Sequence, residues 1–580
     1  MNALFGTDLP DVATETVRVG KLTFTLQGGA LRHICYGGVE MIRGIAFLVR
    51  DRDWGTLAPR ITEVSRQSGD RFSLHLRMQF HSGDATMEVS LHIAADDRGL
   101  EVSATGAVDQ RFETNRTGFT VLHPAAVAGC PVSVGHADGT TRAAQFPVLI
   151  DPWQPFMDIV SLEHDRAGLR VRCDLAGDTF EMEDQRQWGD ASYKTYNRPL
   201  ALPWPYDLTP SDPLAQSVRV TWTPVATAPV APLAFPADVT FPQTALLVTP
   251  AEALQLAQTP QDLEQVAPQR LLCHIDCALG APRDQIAAFA RLQAACPDVI
   301  YDAEVICTFA PTIRAELDLL RDAMAAAGFS PDSVLICPSV DRQSTPPGSQ
   351  WPDCPPLADI HAIAAEVFSS VTRGGGMVSF FPELNRKRPP LDHLDFVSHG
   401  LCPIVHAADD VSVMETLEAI PYITYSARQI IGDRDYRIGP ATIAMRQNPY
   451  GTRTIPNPDA DRVCMADDDP RHRAQFGAAY VIGLATALAK AGVTVWTPAA
   501  VYGPRGLGGP IVQAIAALAR CAGAPVLHAE IRDGLATLVV GPTRFRANLT
   551  AQRVDDLGPY EWSQTALTGR MEAAPVNTAQ

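Results

Sequence analysis

No run of apolar residues in this chain is long enough to cross a bilayer. Its first residues, MNALFGTDLPDVATE, are acidic and contain no apolar h-region. No secretory signal is read there, so cytoplasmic residence without a membrane partner is expected. Basic residues are in deficit: Lys plus Arg number 47 against 65 Asp plus Glu, a net charge of -18. That balance repels phosphate backbones and excludes nucleic acid as the expected partner. The 12 cysteines build no framework. Several sit inside apolar runs such as LLCHID and VLICPSV, where a thiol behaves as a small buried hydrophobe. Cys273 and Cys277 are four apart, but no second pair completes a zinc set, so neither metal ligands nor a cofactor are expected. No GxGxxG follows the first strand of the second half, and GxxxxGK[ST], HExxH and GxSxG are missing. Dinucleotide binding, P-loop chemistry, zinc proteolysis and serine acyl-enzyme chemistry therefore have no support in motifs.

What is present is an ordinary globular balance, 46% hydrophobic and 19% charged, over 580 residues. That length exceeds one core and predicts two or three domains. Residues 15–110 carry short alternating runs, TVRVGKLTFTL, RFSLHLRMQF, TMEVSLHIAA and LEVSATGAV, separated by turns such as QSGD and DDRG. TGFTVLHP, GLRVRCDL, DTFEMED and SVRVTWTP extend the pattern. Many short strands with few helical periods predict an antiparallel β-sandwich over 1–224. Arg50, Asp51, Arg52, Asp53 and Trp54 read as a solvated loop with local ion pairs, and His123 as a structural histidine. Residues 225–243 are rich in Ala and Pro and read as a semi-rigid linker.

From 244 to 510 apolar runs alternate with Ala-rich helical stretches. The strand candidates are ALLVTP, RLLCHID, AEVICTF, SVLICPSV, MVSFFPE, LDFVSHG, ATIAMR and VTVWTP. Eight strands alternating with helices predict a TIM-like (β/α)8 barrel, the alternative being an open doubly wound sheet. Gly374–Gly376 read as the turn between a helix and a strand. Tyr422, Tyr425 and Arg428 read as core packing on a helix. Residues 511–580 read as a small C-terminal β element with a frayed polar tail after Gly569.

In such barrels chemistry collects at the C-terminal ends of the strands. Those ends carry Asp276, Asp341, Glu383, His399 and Arg446. Glu383 follows an apolar strand and precedes Asn385 and Arg386, a carboxylate with donors beside it. The bland reading is an ion pair between Glu383 and Arg386 that closes the barrel mouth. His399, and His406 beside Asp409 and Asp410, lie just downstream. In the first half, EMEDQRQWGDASYKTYNRPLALPWPY (181–206) mixes acids, bases and rings. Such a mixture suits a pocket for a polyhydroxylated molecule, whose C–H faces lie on rings and whose hydroxyls meet charges. A salt-bridged domain junction explains it equally well.

The blocks NRTGFTVLHP, FEMEDQRQWGDASYKTYNRPLALPWPY and FPELNRKRPPLDHLDFVSHGLCPIVHAADD, with GGALRHICYGGVEMIRGI and VRDRDWGT, resemble the D-apionate lactonases of bacterial D-apiose breakdown, over about 15–500. The resemblance implies hydrolysis of D-apionolactone, a small-molecule sugar lactone, to D-apionate; it says nothing of oligomeric state. The chemistry of the residues then suggests roles. Glu383 activates water, Arg386 or Lys194 holds the oxyanion, and Glu183 or Asp184 binds hydroxyls or supplies the leaving-group proton. Trp188 and Tyr193 cover the ring, with Asp190, Tyr196, Arg198, Asn385, Arg386, His399 and His406 as further substrate-binding groups. These roles require the 181–206 stretch to reach the barrel mouth. A glycoside hydrolase with a carboxylate pair and a non-catalytic carbohydrate-binding protein are the competing readings.

Overall fold

The structure, a computed structural model, describes residues 2–567 except Asp53, Ala228 and Pro346. Asp53 of the charged cluster and the tail after Gly569 thus lie outside the described residues. The chain divides into two compact units: residues 10–233 with 345–351, and residues 1–9, 234–344 and 352–580.

The first unit contains two large antiparallel sheets, of seven and nine strands. Period-two alternation builds both. Phe72–Ser82 and Ala85–Ala95 bury every second side chain, placing Leu74, Leu76, Val89 and Leu91 in the core. In the seven-stranded sheet the strand Ser192–Tyr196 lies between Arg116–Pro124 and Glu181–Asp184. His123 is fully buried beside Phe146 and His164. Burial pushes it down to about 3, so it is a neutral packing group.

The other unit contains a closed barrel of eight parallel strands: Gln243–Val248, Arg270–Asp276, Ile300–Cys307, Ser333–Pro338, Thr372–Phe380, Phe396–Leu401, Asp435–Ala441 and Val493–Ala500. The barrel carries a four-stranded antiparallel sheet after it in sequence, beginning at Val526–Arg532. Alternation within each barrel strand sends one set of side chains outward and the other inward. Tyr301 reaches out to the carbonyls of Leu292 and Cys296, so Asp302, Glu304 and Ile306 face the axis.

Two expectations are corrected. The seventh strand is Asp435–Ala441; ATIAMR begins on its last residue and then leaves the barrel wall, which frees Arg446 to turn inward. Gly374–Gly376 lie within the fifth strand. There a Cβ on Gly374 would come 2.1 Å from the Phe396 ring, and one on Gly376, at φ +115°, would come 2.1 Å from the Ser398 carbonyl. The glycines serve close approach of neighbouring strands, a demand that in sequence looks the same as a turn. Tyr422, Tyr425 and Arg428 fall on the helix Ile420–Ile431, as expected.

Candidate active site

The C-terminal ends of the barrel strands converge on a ring of ion pairs. On the second strand, Arg270, Leu272, His274 and Asp276 alternate toward the axis while Leu271, Cys273 and Ile275 are fully buried on the other side. His274 Nδ1 lies 2.7 Å from Glu304 Oε1 on the adjacent strand. Arg446 reaches the same carboxylate, with Nη1 2.5 Å from Oε1 and Nη2 3.3 Å from Oε2, and donates from Nη2 to the Val378 carbonyl at 2.6 Å. Burial alone would raise the Glu304 carboxyl, but Arg446 and His274 outweigh it and hold it at about 2. Glu304 is therefore an anion at every working pH.

Asp276 accepts from Arg342 at 2.7 Å. Asp341 is fully buried against Lys387; burial pushes its carboxyl up, with Lys387 pulling the other way. Glu383 stands in the short helix Phe381–Lys387 that caps the fifth strand. Its Oε1 accepts from Ser344 Oγ at 2.5 Å and Arg386 Nη1 at 2.9 Å, and Arg386 also reaches Ser344 at 3.0 Å. The bland reading of this pair is thus the observed contact. An oxygen already holding two donors is poorly placed to take a proton from water, so Oε1 of Glu383 serves to anchor Ser344 and Arg386.

The remaining barrel candidates differ in standing. Asn385 is buried, and its carbonyl accepts from Arg388 at 3.1 Å. His406 lies beside Tyr450, Nε2 to the hydroxyl at 3.2 Å. His399 is a correction. It is fully buried, with Nδ1 2.9 Å from the Gly400 carbonyl and Nε2 2.7 Å from the Tyr436 hydroxyl. Burial pushes it down to about 4. Both nitrogens are engaged inside the wall, so no face is left for a substrate.

In the sandwich unit the 181–206 stretch separates by strand alternation. Glu183 and Lys194 are cross-strand partners, 2.7 Å apart, and Trp188 Nε1 donates to Glu183 at 3.2 Å. Glu183 and Lys194 keep partial exposure, while Trp188 is buried. Burial pushes the Lys194 amine down, against the pull of Glu183. Asp184 points to the other face, where both it and Arg186 are wholly buried in a pair at 2.6 Å. Arg186 Nη2 donates to the Pro147 carbonyl at 2.8 Å, and the Asp151 amide donates to Asp184 at 3.1 Å. Tyr193 lies under that guanidinium at 4.3 Å and donates to Pro147 at 2.5 Å. Tyr196 is buried, donates to Glu181 at 2.6 Å and carries Arg116 over its ring at 3.8 Å. Asp184, Tyr193 and Tyr196 are thus internal braces, contrary to the roles expected for them: burying a charge demands a partner at hand, and each already has one. Asp190 is half-buried at the turn, its carbonyl accepting from the Ser192 amide at 2.8 Å. Arg198 stacks on Tyr206 at 4.1 Å.

Glu304, His274, Arg342 and Lys387 were missed in sequence. The usable signal was a polar residue at an inward position of an otherwise apolar strand, as in RLLCHID and DAEVIC.

Two family models agree with this division into a sandwich and a barrel. Residues 2–225 match the family model of the D-apionate lactonase N-terminal domain, and residues 244–529 that of the D-apionate lactonase TIM barrel domain. A D-apionate lactonase from Brucella anthropi is 44% identical over 518 residues, covering 87% of this chain and 85% of that protein. Among solved structures, a galactose mutarotase-like protein from Clostridium acetobutylicum aligns at 8% identity and TM-score 0.25, over 37% of this chain and 99% of that one. A GH36 alpha-galactosidase from Geobacillus stearothermophilus aligns at 10% identity and TM-score 0.27, over 92% and 91%. Among the described residues no helix is long and apolar enough to cross a membrane. With both of its large domains matched and a curated relative at this identity, the chain belongs to the D-apionate lactonase family.

Proposed function

We propose that this chain hydrolyses D-apionolactone to D-apionate in carbohydrate catabolism, with the lactone bound at the open end of the barrel. The observation that supports the location is the ring of paired charges there: Asp276 with Arg342, Glu304 with Arg446, Asp341 with Lys387 and Glu383 with Arg386. Lactone opening generates an oxyanion and then a carboxylate, and both need fixed cationic donors. A guanidinium clamped by a carboxylate keeps its remaining N–H groups aimed without losing its charge. The carboxylates offer acceptors for the hydroxyls of a branched aldonolactone. Glu183 and Lys194 on the sandwich, with Trp188 buried behind them and donating to Glu183, form a second partly exposed polar patch suited to a polyol.

The test is turnover. Purified protein should release acid from D-apionolactone well above the spontaneous rate, with aryl glycosides left intact; the opposite pattern would return the barrel to glycoside hydrolysis. Within this reading Glu383 fixes Ser344 and Arg386 against the substrate. Glu383→Gln is expected to lower kcat/KM by about ten- to a hundredfold, the range of a charge-assisted hydrogen bond worth roughly 1.5–3 kcal/mol. Steady-state kinetics would show this mostly in KM. A loss confined to kcat would restore Glu383 as the base.

A further inference from the structure

Hydrolysis by attack of water needs a proton acceptor, and each carboxylate of the mouth has at least one oxygen held by a cation. Asp276, Glu304, Asp341 and Glu383 each hold an Arg or Lys. Among the side chains of this ring, one imidazole with a ring nitrogen left over stands out. His274 gives Nδ1 to Glu304. With Glu304 anionic, Nδ1 must carry the hydrogen, which leaves Nε2 as a bare lone pair in the neutral ring. Among the described residues Nε2 has no hydrogen-bond partner. The side chain is 20% exposed, whereas Glu304 beneath it is 1% exposed. The ring is thus anchored from below and open above, the disposition of an oriented base.

Arg446 completes the arrangement. Its guanidinium has five N–H groups, of which three are directed at Glu304 and Val378. The other two can meet an oxyanion formed beside the imidazole, since both side chains hang on the same carboxylate.

Resting on the lactonase reading above, we propose that His274 is the general base of this enzyme, oriented by Glu304, with Arg446 as the oxyanion donor. Water attacks the lactone carbonyl carbon and gives its proton to Nε2 of His274. The carbonyl π pair moves to oxygen, and Arg446 receives the oxyanion. The pair then returns, the bond from carbon to the ring oxygen breaks, and that oxygen takes the proton from Nε2 to become a hydroxyl. The new carboxylic acid loses its proton to solvent. Lactone plus water thus gives aldonate plus one proton, and the imidazole ends neutral as it began. The same histidine serves as base and then acid, so no second proton carrier is required. The charged groups nearest the ring are Glu304 and Arg446, with Asp276 and its partner Arg342 at the end of the same strand.

His274→Asn separates this role from a structural one. The asparagine amide nitrogen falls where Nδ1 stood and keeps the bond to Glu304, but nothing replaces Nε2. We expect kcat on D-apionolactone to fall by about 10²–10⁴-fold, the usual contribution of a positioned base. The protonation limb on the acid side of the wild-type pH profile should vanish with it. His274→Asn with more than about a tenth of wild-type kcat and an unchanged acid limb would overturn the assignment. If wild type itself opens no aldonolactone, it is the lactonase reading that fails. Should the variant not fold, wild-type protein treated with diethyl pyrocarbonate decides. Modification of His274, mapped by mass spectrometry, should track the loss of activity and be slowed by D-apionate. Activity that survives full modification of His274, or that disappears while it stays unmodified, overturns the proposal.

Discussion

Arg446→Met is expected to cost the enzyme about 10²–10³-fold in kcat and roughly 3–5 kcal/mol of barrel stability together. The catalytic loss follows from removing the donor that faces the developing oxyanion. The stability loss follows from Glu304, which is 1% exposed and would keep only His274 as a partner. The two losses should respond differently to pH. In the wild type Glu304 titrates at about 2, below the ordinary carboxylate near 4.3. Its contribution to stability is therefore complete above about 4.3 and is lost only as the pH falls through about 2. Without Arg446, burial dominates and the folded-state value rises above the unfolded one. The penalty is then largest at neutral pH and is relieved on acidification, once Glu304 takes up a proton. Urea unfolding at pH 7.5 and at pH 5 should show a wider gap between variant and wild type at pH 7.5. A gap independent of pH would mean that the loss comes from packing of the methionine and not from the stranded carboxylate. Glu304→Gln placed on Arg446→Met should recover stability without recovering kcat.

The contrast between Glu304 and Glu383 shows what a sequence can reveal about a barrel site. Glu383 was legible because it stands just past an apolar strand, where the chain must leave the wall and a charge is conspicuous. Glu304 was hidden inside DAEVIC, and His274 inside RLLCHID, where polar residues look like interruptions of a strand. Period two establishes that one alternate set faces the axis; it does not say which. That choice was visible only once Tyr301 was seen bonding outward to Leu292 and Cys296. The pairing of His274 with Glu304 joins residues 30 apart on neighbouring parallel strands, a register that local pattern does not encode. The seventh strand was displaced for a related reason: ATIAMR is as apolar as DYRIGPA, and periodicity alone ranks them equally. The eightfold alternation of strands with Ala-rich helices, by contrast, repeats often enough for one misplaced strand to leave the fold class intact.

The 181–206 stretch misled in the opposite direction, by displaying chemistry that is largely spent on itself. Asp184 and Arg186 sit two residues apart across a short turn, both fully buried and paired at 2.6 Å. The sequence offered Asp184 as a catalytic acid; geometry makes it and Arg186 a clamp between Pro147, Asp151 and Tyr193. Asp184→Ala is therefore expected to lower the stability of the sandwich by about 3–5 kcal/mol, because Arg186 would remain buried without this carboxylate. A double variant, Asp184→Leu with Arg186→Met, should recover most of that loss, since an apolar pair of similar volume carries no desolvation penalty. Urea unfolding followed by tryptophan fluorescence, reported by Trp188 and Trp222, would measure both. Activity gives the decisive contrast. If Asp184 braces the sheet, kcat of the fraction that remains folded stays within about twofold of wild type, and the double variant behaves alike. If Asp184 supplies a proton to the leaving oxygen, kcat falls by about 10²–10⁴-fold in single and double variants equally, whatever happens to stability. Recovery of stability without recovery of kcat would return Asp184 to the catalytic set.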